Sequence, residues 1–196
     1  MSLVELIAQA DERGLTAAAL ACLDRCVSLL DGDDEALRPL WGNLTDTSDP
    51  AAWPELLQQA RDKLEPGEGE KTEEGDAGGQ GSYGAAVLLA RRMLADAPPA
   101  RSTAEARRWA DACSVAALQI HRLLDPIKDA SEVDARREGR TEGMSPLVAA
   151  ELRHQITVLE LLAAHGTGGL RRALEVTTQG RRVLRAVVSR RARGRG

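Results

Sequence analysis

Apolar residues recur every three or four positions along most of the chain, a spacing that places them on one side of an α-helix. The first stripe follows residues 2–5 (SLVE), in which the serine and glutamate side chains can each bond the other residue's backbone amide and so start a helix. Gly14 is expected to end that helix and Thr16 to start a second one. The second helix should run to about Leu30 and pack on the first as an antiparallel hairpin.

The same periodicity continues through the rest of the chain. Further helices are predicted over residues 33–41, 49–64, 82–94, 102–124, 145–166 and 167–188. Residues 127–144 are polar and should hold at most one exposed turn, near 132–137. With 32 Ala and 27 Leu against no Phe and one Tyr, the chain has almost nothing from which to build a sheet. The expected fold is an all-α bundle of about seven to eight helices.

One internal segment lacks the helical pattern. Residues 65–81 (EPGEGEKTEEGDAGGQG) contain six glycines, six acidic residues and a single alanine as their only apolar side chain. Because such a segment buries too little apolar surface to offset the entropy of ordering its backbone, we expect a disordered acidic linker. It would join an N-terminal helical part, 1–64, to a C-terminal bundle, 82–189, which a basic tail, 190–196, follows. The two parts could equally form one interleaved bundle.

Membrane insertion and export are not indicated. No stretch approaches the roughly 18 uninterrupted apolar residues of a membrane helix, and the N-terminus (MSLVELIAQADERG) has no basic lead before an apolar segment. Three cysteines are an odd number, which disfavours a disulfide framework. We therefore expect a cytoplasmic protein without structural disulfides.

The formal net charge of −4 hides a strong segregation of charge. Residues 1–80 carry a net charge of −12, residues 81–170 are neutral, and residues 171–196 carry +8 from nine arginines and one glutamate. On a helical wheel several arginines of the last helix share an arc opposite its apolar positions. The predicted contact residues are Arg171, Arg181, Arg182, Arg185, Arg190, Arg191, Arg193 and Arg195.

A basic amphipathic helix has several interpretations. It can be a bundle helix with a solvated arginine face, or it can bind an acidic protein surface, this chain's own acidic linker or an anionic membrane. It can also bind DNA or RNA phosphates through residues 171–196. No aromatic residue lies among these arginines, so stacking on single-stranded bases is not supported.

Catalytic and metal-binding patterns are weak. Glu151 and His154 have the E-x-x-H spacing of carboxylate-bridged di-iron proteins, but the chain has no second such motif, and we expect both at the surface. Cys22 and Cys26 lie one helical turn apart, which gives only half of a tetrahedral metal site, so these cysteines and Cys113 are interpreted as core residues. The sequence has no nucleophile elbow and no phosphate-binding glycine loop. We expect no catalytic residues, no metal and no cofactor.

The three tryptophans have two interpretations. Trp41, Trp53 and Trp109 are expected to anchor the core of a protein without phenylalanine, or else to line an apolar pocket or an interface. The sequence thus favours a non-enzymatic interaction or regulatory protein that acts through protein–protein contacts. A nucleic-acid-associated protein and a bundle that binds a small apolar ligand are the alternatives, and a homo-oligomer stays open.

Overall fold

The computed structural model describes residues 1–30, 33, 35–45, 49–64 and 80–193. Throughout these ranges the chain forms helices and turns without a strand, which confirms the predicted all-α bundle. The helices are α1 (Leu3–Gln9), α2 (Glu12–Arg25), α3 (Arg38–Asn43), α4 (Trp53–Leu64), α5 (Gln80–Ala95), α6 (Thr103–Leu124), α7 (Val133–Arg137), α8 (Pro146–His165) and α9 (Leu170–Arg193). Short 3-10 turns occupy Val27–Leu29, Pro50–Ala52 and Gly166–Gly169.

The central helix of the bundle is α2. Between Gly14 and Arg25 every residue of α2 is buried except Ala18, which is half-buried. Helices α6, α8 and α9 all pack against α2, which explains why α2 is apolar around most of its circumference. Helix α1 lies instead on α6 and α8, so the predicted hairpin of the first two helices is wrong.

The junction between α1 and α2 differs from the expectation because an aspartate caps the second helix. Asp11 is the N-cap of α2, and its Oδ1 accepts a hydrogen bond from the amide of Gly14 at 2.7 Å. Gly14 therefore belongs to the first turn of α2 and does not end α1. Thr16 is likewise inside α2, where its hydroxyl donates to the carbonyl of Glu12 at 2.8 Å. The expected capping box of Ser2 and Glu5 is confirmed in both directions.

The ends of α2, α5 and α9 also differ from the predicted ones. Helix α2 ends at Arg25, and a 3-10 turn replaces its predicted continuation to Leu30. Helix α9 begins at Leu170, after a turn in which Gly166 has a φ of 51°, and it continues through the first part of the predicted tail to Arg193. Residues 194–196 lie outside the described residues. Most of the predicted linker, 65–79, does as well, whereas its last two residues form the start of α5.

One hydrophobic core serves the described part of the chain. A single cluster of buried side chains extends from Leu3 in α1 to Leu184 in α9, and it includes Trp53 of α4 as well as Trp109 of α6. Helices on both sides of residues 65–79 thus contribute to the same core.

Arginines from neighbouring helices close three helix C-termini. Arg61 donates to carbonyls at the end of α5, Arg107 to those of Ile7 and Ala8 in α1, and Arg191 to those of Leu123 and Leu124 in α6. The last carbonyls of a helix have no partner within the helix and carry its partial negative charge, so a guanidinium group satisfies both needs. These three arginines serve the fold.

The connection between α6 and α8 is organised by a buried ion pair. Arg136 donates from Nε and Nη2 to Asp129 Oδ1, at 2.9 and 2.7 Å, and both side chains are 1% exposed. Although burial favours the neutral acid, the amide of Ser145 and the guanidinium of Arg136 hold the pKa of Asp129 below its ordinary value. A helical turn, α7, lies where the turn near 132–137 was predicted, but the expected exposure is wrong, because Val133 and both arginines of α7 are buried.

Gly180 lets α9 approach α2 and α8 closely. A Cβ atom at this position would collide with Cδ of Arg25 and would lie 2.9 Å from Nδ1 of His154. Because Arg25 is fully buried and paired with Glu151, its side chain cannot move aside without cost.

We expect Gly180→Ala to lower the free energy of unfolding by about 1–3 kcal/mol, since it overpacks this contact. Gly84→Ala in α5 is the matched control, because a Cβ there meets nothing within 4 Å. It should leave stability unchanged or raise it by about 0.5–1 kcal/mol, the gain in helix propensity. Urea unfolding followed by circular dichroism measures both, and equal effects of the two substitutions would contradict the close approach.

Candidate functional site

Helix α9 has a buried side and an exposed side, as its sequence pattern predicts. Its buried side holds Leu170, Ala173, Thr177, Gly180, Arg181 and Leu184. Thr177 is fully buried, and its hydroxyl donates to the carbonyl of Ala173 at 2.8 Å, so this polar side chain leaves no donor unsatisfied. The buried side faces α2 and α8, which fixes the direction of the opposite side.

The exposed side of α9 carries a row of arginines, which we name the arginine face. Its members are Arg171, Arg172, Arg182, Arg185, Arg190 and Arg193, all exposed. They extend along about 33 Å of helix at 1.5 Å per residue. Glu175 is the one acidic residue of α9, and it lies 3.5 Å from Arg171 in an exposed ion pair. Six arginines and one glutamate give this side of the helix a large positive excess.

Two of the arginines predicted to contact a partner serve the interior instead. Arg181 is only 9% exposed and donates from Nη1 to Asp24 Oδ1 at 2.7 Å. It lies at the edge of the predicted arc, from which its long side chain reaches inward. Arg191 is half-buried and binds the C-terminal carbonyls of α6. The structure thus places Arg181 inside the bundle and Arg191 at the end of α6, and Arg195 lies outside the described residues.

Asp24 connects α9 to two other parts of the bundle. While its Oδ1 accepts from Arg181, its Oδ2 accepts from the indole nitrogen of Trp41 at 2.8 Å. Asp24 is 2% exposed, so its charge is compensated within the protein. This carboxylate holds α2, α3 and α9 together.

A second buried carboxylate lies next to it. Glu151 of α8 and Arg25 of α2 form a two-pronged ion pair, with Nε to Oε2 at 2.7 Å and Nη2 to Oε1 at 2.6 Å. Both side chains are 0% exposed. Although burial alone would favour the neutral acid, the charge of Arg25 holds the pKa of Glu151 at about 2.

Gln155 and His121 join the pair of Arg25 and Glu151, and we name these four residues the buried ionic centre. Gln155 donates from Nε2 to Glu151 Oε1 at 2.8 Å and to the carbonyl of Ser114 at 3.3 Å. Nδ1 of His121 lies 2.8 Å from the carbonyl of Ala117, an acceptor, so Nδ1 carries a hydrogen. The other ring nitrogen, Nε2, then faces Glu151 Oε2 at 3.6 Å.

Cys22 accepts a hydrogen bond from Arg25, and none of the three buried cysteines has nucleophilic character. Cys22, Cys26 and Cys113 are all buried, and burial raises the pKa of Cys22 to about 12. The pKa of each of the other two thiols is also raised well above its ordinary value, mainly by burial. At neutral pH these groups are thiols rather than thiolates, which is the behaviour of core residues.

The buried ionic centre is poorly suited to catalysis. A carboxyl group whose pKa is held below its ordinary value by a paired guanidinium is a weak base near neutral pH. The cavity beside Arg25 has a volume of only about 10 Å³, which leaves no space for a substrate. The geometry of Arg25 and Glu151 is that of a structural ion pair between α2 and α8.

The tryptophans occupy the core, and each indole nitrogen has an acceptor. Trp53 donates to the carbonyl of Pro98 and Trp109 to that of Met93, and the two rings meet edge to face with centroids 6.2 Å apart. Trp41, 5% exposed, binds Asp24 away from this pair. An open groove of about 460 Å³ passes Trp109, but its remaining lining is mostly small or polar. The three rings do not converge on one apolar pocket.

Two further properties concern the described ranges of the chain. They contain no group of three or more histidine, cysteine or acidic side chains that is arranged to hold a metal ion. No helix within them has both the length and the apolar character needed to cross a bilayer.

The buried ionic centre was not foreseen in the sequence, which placed Glu151 and His154 at the surface. In the structure, the buried stripe of α8 is centred between Glu151 and Leu152 and includes Gln155. Two polar residues at i and i+4 within this stripe were the available signal. The partner, Arg25, is 126 positions away along the chain and could not be assigned from local pattern.

No family model, curated protein sequence or solved structure matches the chain. Its function therefore has to be inferred from the geometry and chemistry of its own residues.

We expect Arg25→Met to lower the free energy of unfolding by about 3–5 kcal/mol, because it leaves the Glu151 carboxylate buried without its counter-charge. The control is Arg38→Met, which removes an arginine from an exposed pair with Glu35 and should have no measurable effect. Guanidinium unfolding measures both variants. A loss below about 1 kcal/mol in Arg25→Met would show that the pair does not hold α2 to α8.

Acid should weaken the bundle in two steps. Burial lowers the pKa of His154 below its ordinary value of 6.5, and the charge of Arg25 lowers it further. His121 and Arg153 act in the same direction, whereas Glu151 raises this pKa. A histidine with a lowered pKa binds its proton more readily in the unfolded chain, so stability is lost as the pH falls below 6.5. Protonation of Glu151 adds a second loss only below 4.5, the ordinary value of that carboxyl group.

The free energy of unfolding, measured by urea titration between pH 4.5 and 6.5, should decrease in the parent chain as the pH is lowered. The decrease should be less steep in His154→Gln. The control is His165→Gln, which changes an exposed histidine at the end of the same helix and should keep the parent slope. A parent slope that persists in His154→Gln would assign the acid sensitivity to other groups.

Proposed function

We propose that the protein is a non-enzymatic binding protein of the cytoplasm that holds an acidic surface of a protein partner against its arginine face. The observation that carries this proposal is the row of six exposed arginines along α9, with one glutamate among them. Such an unbalanced row attracts a negatively charged surface and aligns it along the helix.

Five arginines in other helices serve the fold and contrast with this row. Arg25, Arg136 and Arg137 are buried and paired with carboxylates or hydroxyl groups. Arg61 and Arg107 close helix C-termini. Helix α9 itself supplies a single carboxylate, Glu175, beside the six guanidinium groups of its arginine face.

The rigidity of α9 makes its exposed side suitable for recognition. Its buried side is fixed by core packing, by the close approach at Gly180 and by the ion pair of Arg181 with Asp24. A helix that is already ordered loses little backbone entropy when it binds, so more of the contact energy remains as affinity. The binding mode that fits is helix face against acidic surface, with charge setting the orientation.

An acidic protein surface suits this chain better than a nucleic acid does. Residues 1–80 carry a net charge of −12, which repels an extended phosphate backbone that approaches the same molecule. The arginine face also includes no aromatic side chain for stacking on bases. A compact acidic patch on a protein can contact α9 alone and avoid that repulsion.

The test is binding of the full chain to two labelled probes at low and high salt. The first probe is a 20-residue helical peptide with one glutamate-rich face, and the second is a 20-base-pair DNA duplex. Fluorescence anisotropy should show salt-sensitive binding of the peptide, because the contacts are ionic. In Arg182→Glu/Arg185→Glu we expect at least about a 10-fold loss of peptide affinity, since two attractive contacts become repulsive.

The control is Arg91→Glu/Arg92→Glu, which reverses two exposed charges on α5 and should keep the parent affinity. Equal losses in both double variants would mean that the peptide responds to net charge alone, and the proposal would fail. Tighter binding of the duplex than of the peptide, lost in the α9 variant, would instead assign nucleic acid to this face. Failure to bind either probe at low salt would leave the arginine face as a solvated helix side.

A further inference from the structure

A small cavity lies beside the buried ionic centre. Its volume is about 10 Å³, and it is bordered by side chains of α1, α2, α6 and α8. The polar residues in its lining are Arg25, Ser114 and Gln155, and Cys22 adds a thiol. A cavity of this volume can hold about one water molecule, provided that polar groups are there to bind it.

Two lining residues each have a polar atom without a partner in the protein. Arg25 uses Nε and Nη2 on Glu151 and Cys22, but its Nη1 is buried and makes no hydrogen bond. Gln155 uses Nε2 on Glu151 and the carbonyl of Ser114, but its Oε1 is buried and accepts none. Arg25 is 0% exposed and Gln155 is 4% exposed, so bulk solvent reaches neither.

The orientation of the Gln155 amide is fixed by its neighbours. The carboxylate of Glu151 and the carbonyl of Ser114 can only accept hydrogen bonds, so the nitrogen of the amide must face them. Its oxygen is then an acceptor on the other side. Two lining residues thus leave one guanidinium donor and one amide acceptor without a partner, and leaving either unsatisfied in the interior is costly.

We propose that this cavity binds one internal water molecule, which accepts a hydrogen bond from Nη1 of Arg25 and donates one to Oε1 of Gln155. Water fits both groups because it is donor and acceptor at once. A cation would be repelled by Arg25, and an anion could not donate to the amide oxygen. The water completes the buried ionic centre and links α2 to α8 by a second route.

The direct test is a crystal structure of the full chain at a resolution that shows ordered water. The proposal predicts a fully occupied density peak within hydrogen-bond distance, about 2.7–3.2 Å, of both Nη1 of Arg25 and Oε1 of Gln155. An empty cavity, or a direct hydrogen bond between the two side chains, would overturn it.

A variant separates a bound water from a chance density peak. Gln155→Met removes the acceptor and extends an apolar side chain into the same space, so the peak should disappear from its crystal structure. Leu159→Met is the matched control, because it changes an apolar lining residue of α8 at nearly constant volume and keeps both polar groups. The peak should persist in Leu159→Met, and its persistence in Gln155→Met would show that Gln155 does not hold the water.

Discussion

The ion pair between Arg25 and Glu151 is the interaction on which the arrangement of the long helices depends. Neither side chain contacts solvent, so each charge is tolerated in the interior only because the other is present. The residue before Arg25 in α2, Asp24, performs the same task for Arg181 of α9. Two consecutive charged residues of the central helix thus fix α8 and α9 in position, and apolar packing fills the space around them.

This arrangement relates the interior of the protein to its exposed arginines. Because Arg181 is drawn inward and Gly180 permits a close approach to α2, the rotation of α9 about its own axis is set. The arginines on the opposite side must then face outward along one line. The proposed binding face is therefore a consequence of buried contacts rather than of surface composition alone.

The sequence predicted local features well and long-range pairs poorly. The helical class, the capping box of Ser2 with Glu5 and the start of α8 at Pro146 depend on neighbouring residues, and the structure agrees with each. Glu151 was misplaced because a charged residue was assumed to be exposed, although its position lies within the buried stripe of α8. Arg181 was assigned to the surface for the same reason, since its buried partner in α2 is remote in the sequence.

The central claim is that α9 is held as firmly as α2, so that its arginine face has a fixed orientation. Native-state hydrogen exchange of the parent chain tests this most directly, by comparing amides of residues 177–184 in α9 with those of residues 20–25 in α2. The account predicts that both sets exchange only through global unfolding, with the same opening free energy. Exchange of the α9 amides through a much less costly local opening, while α2 stays protected, would contradict it.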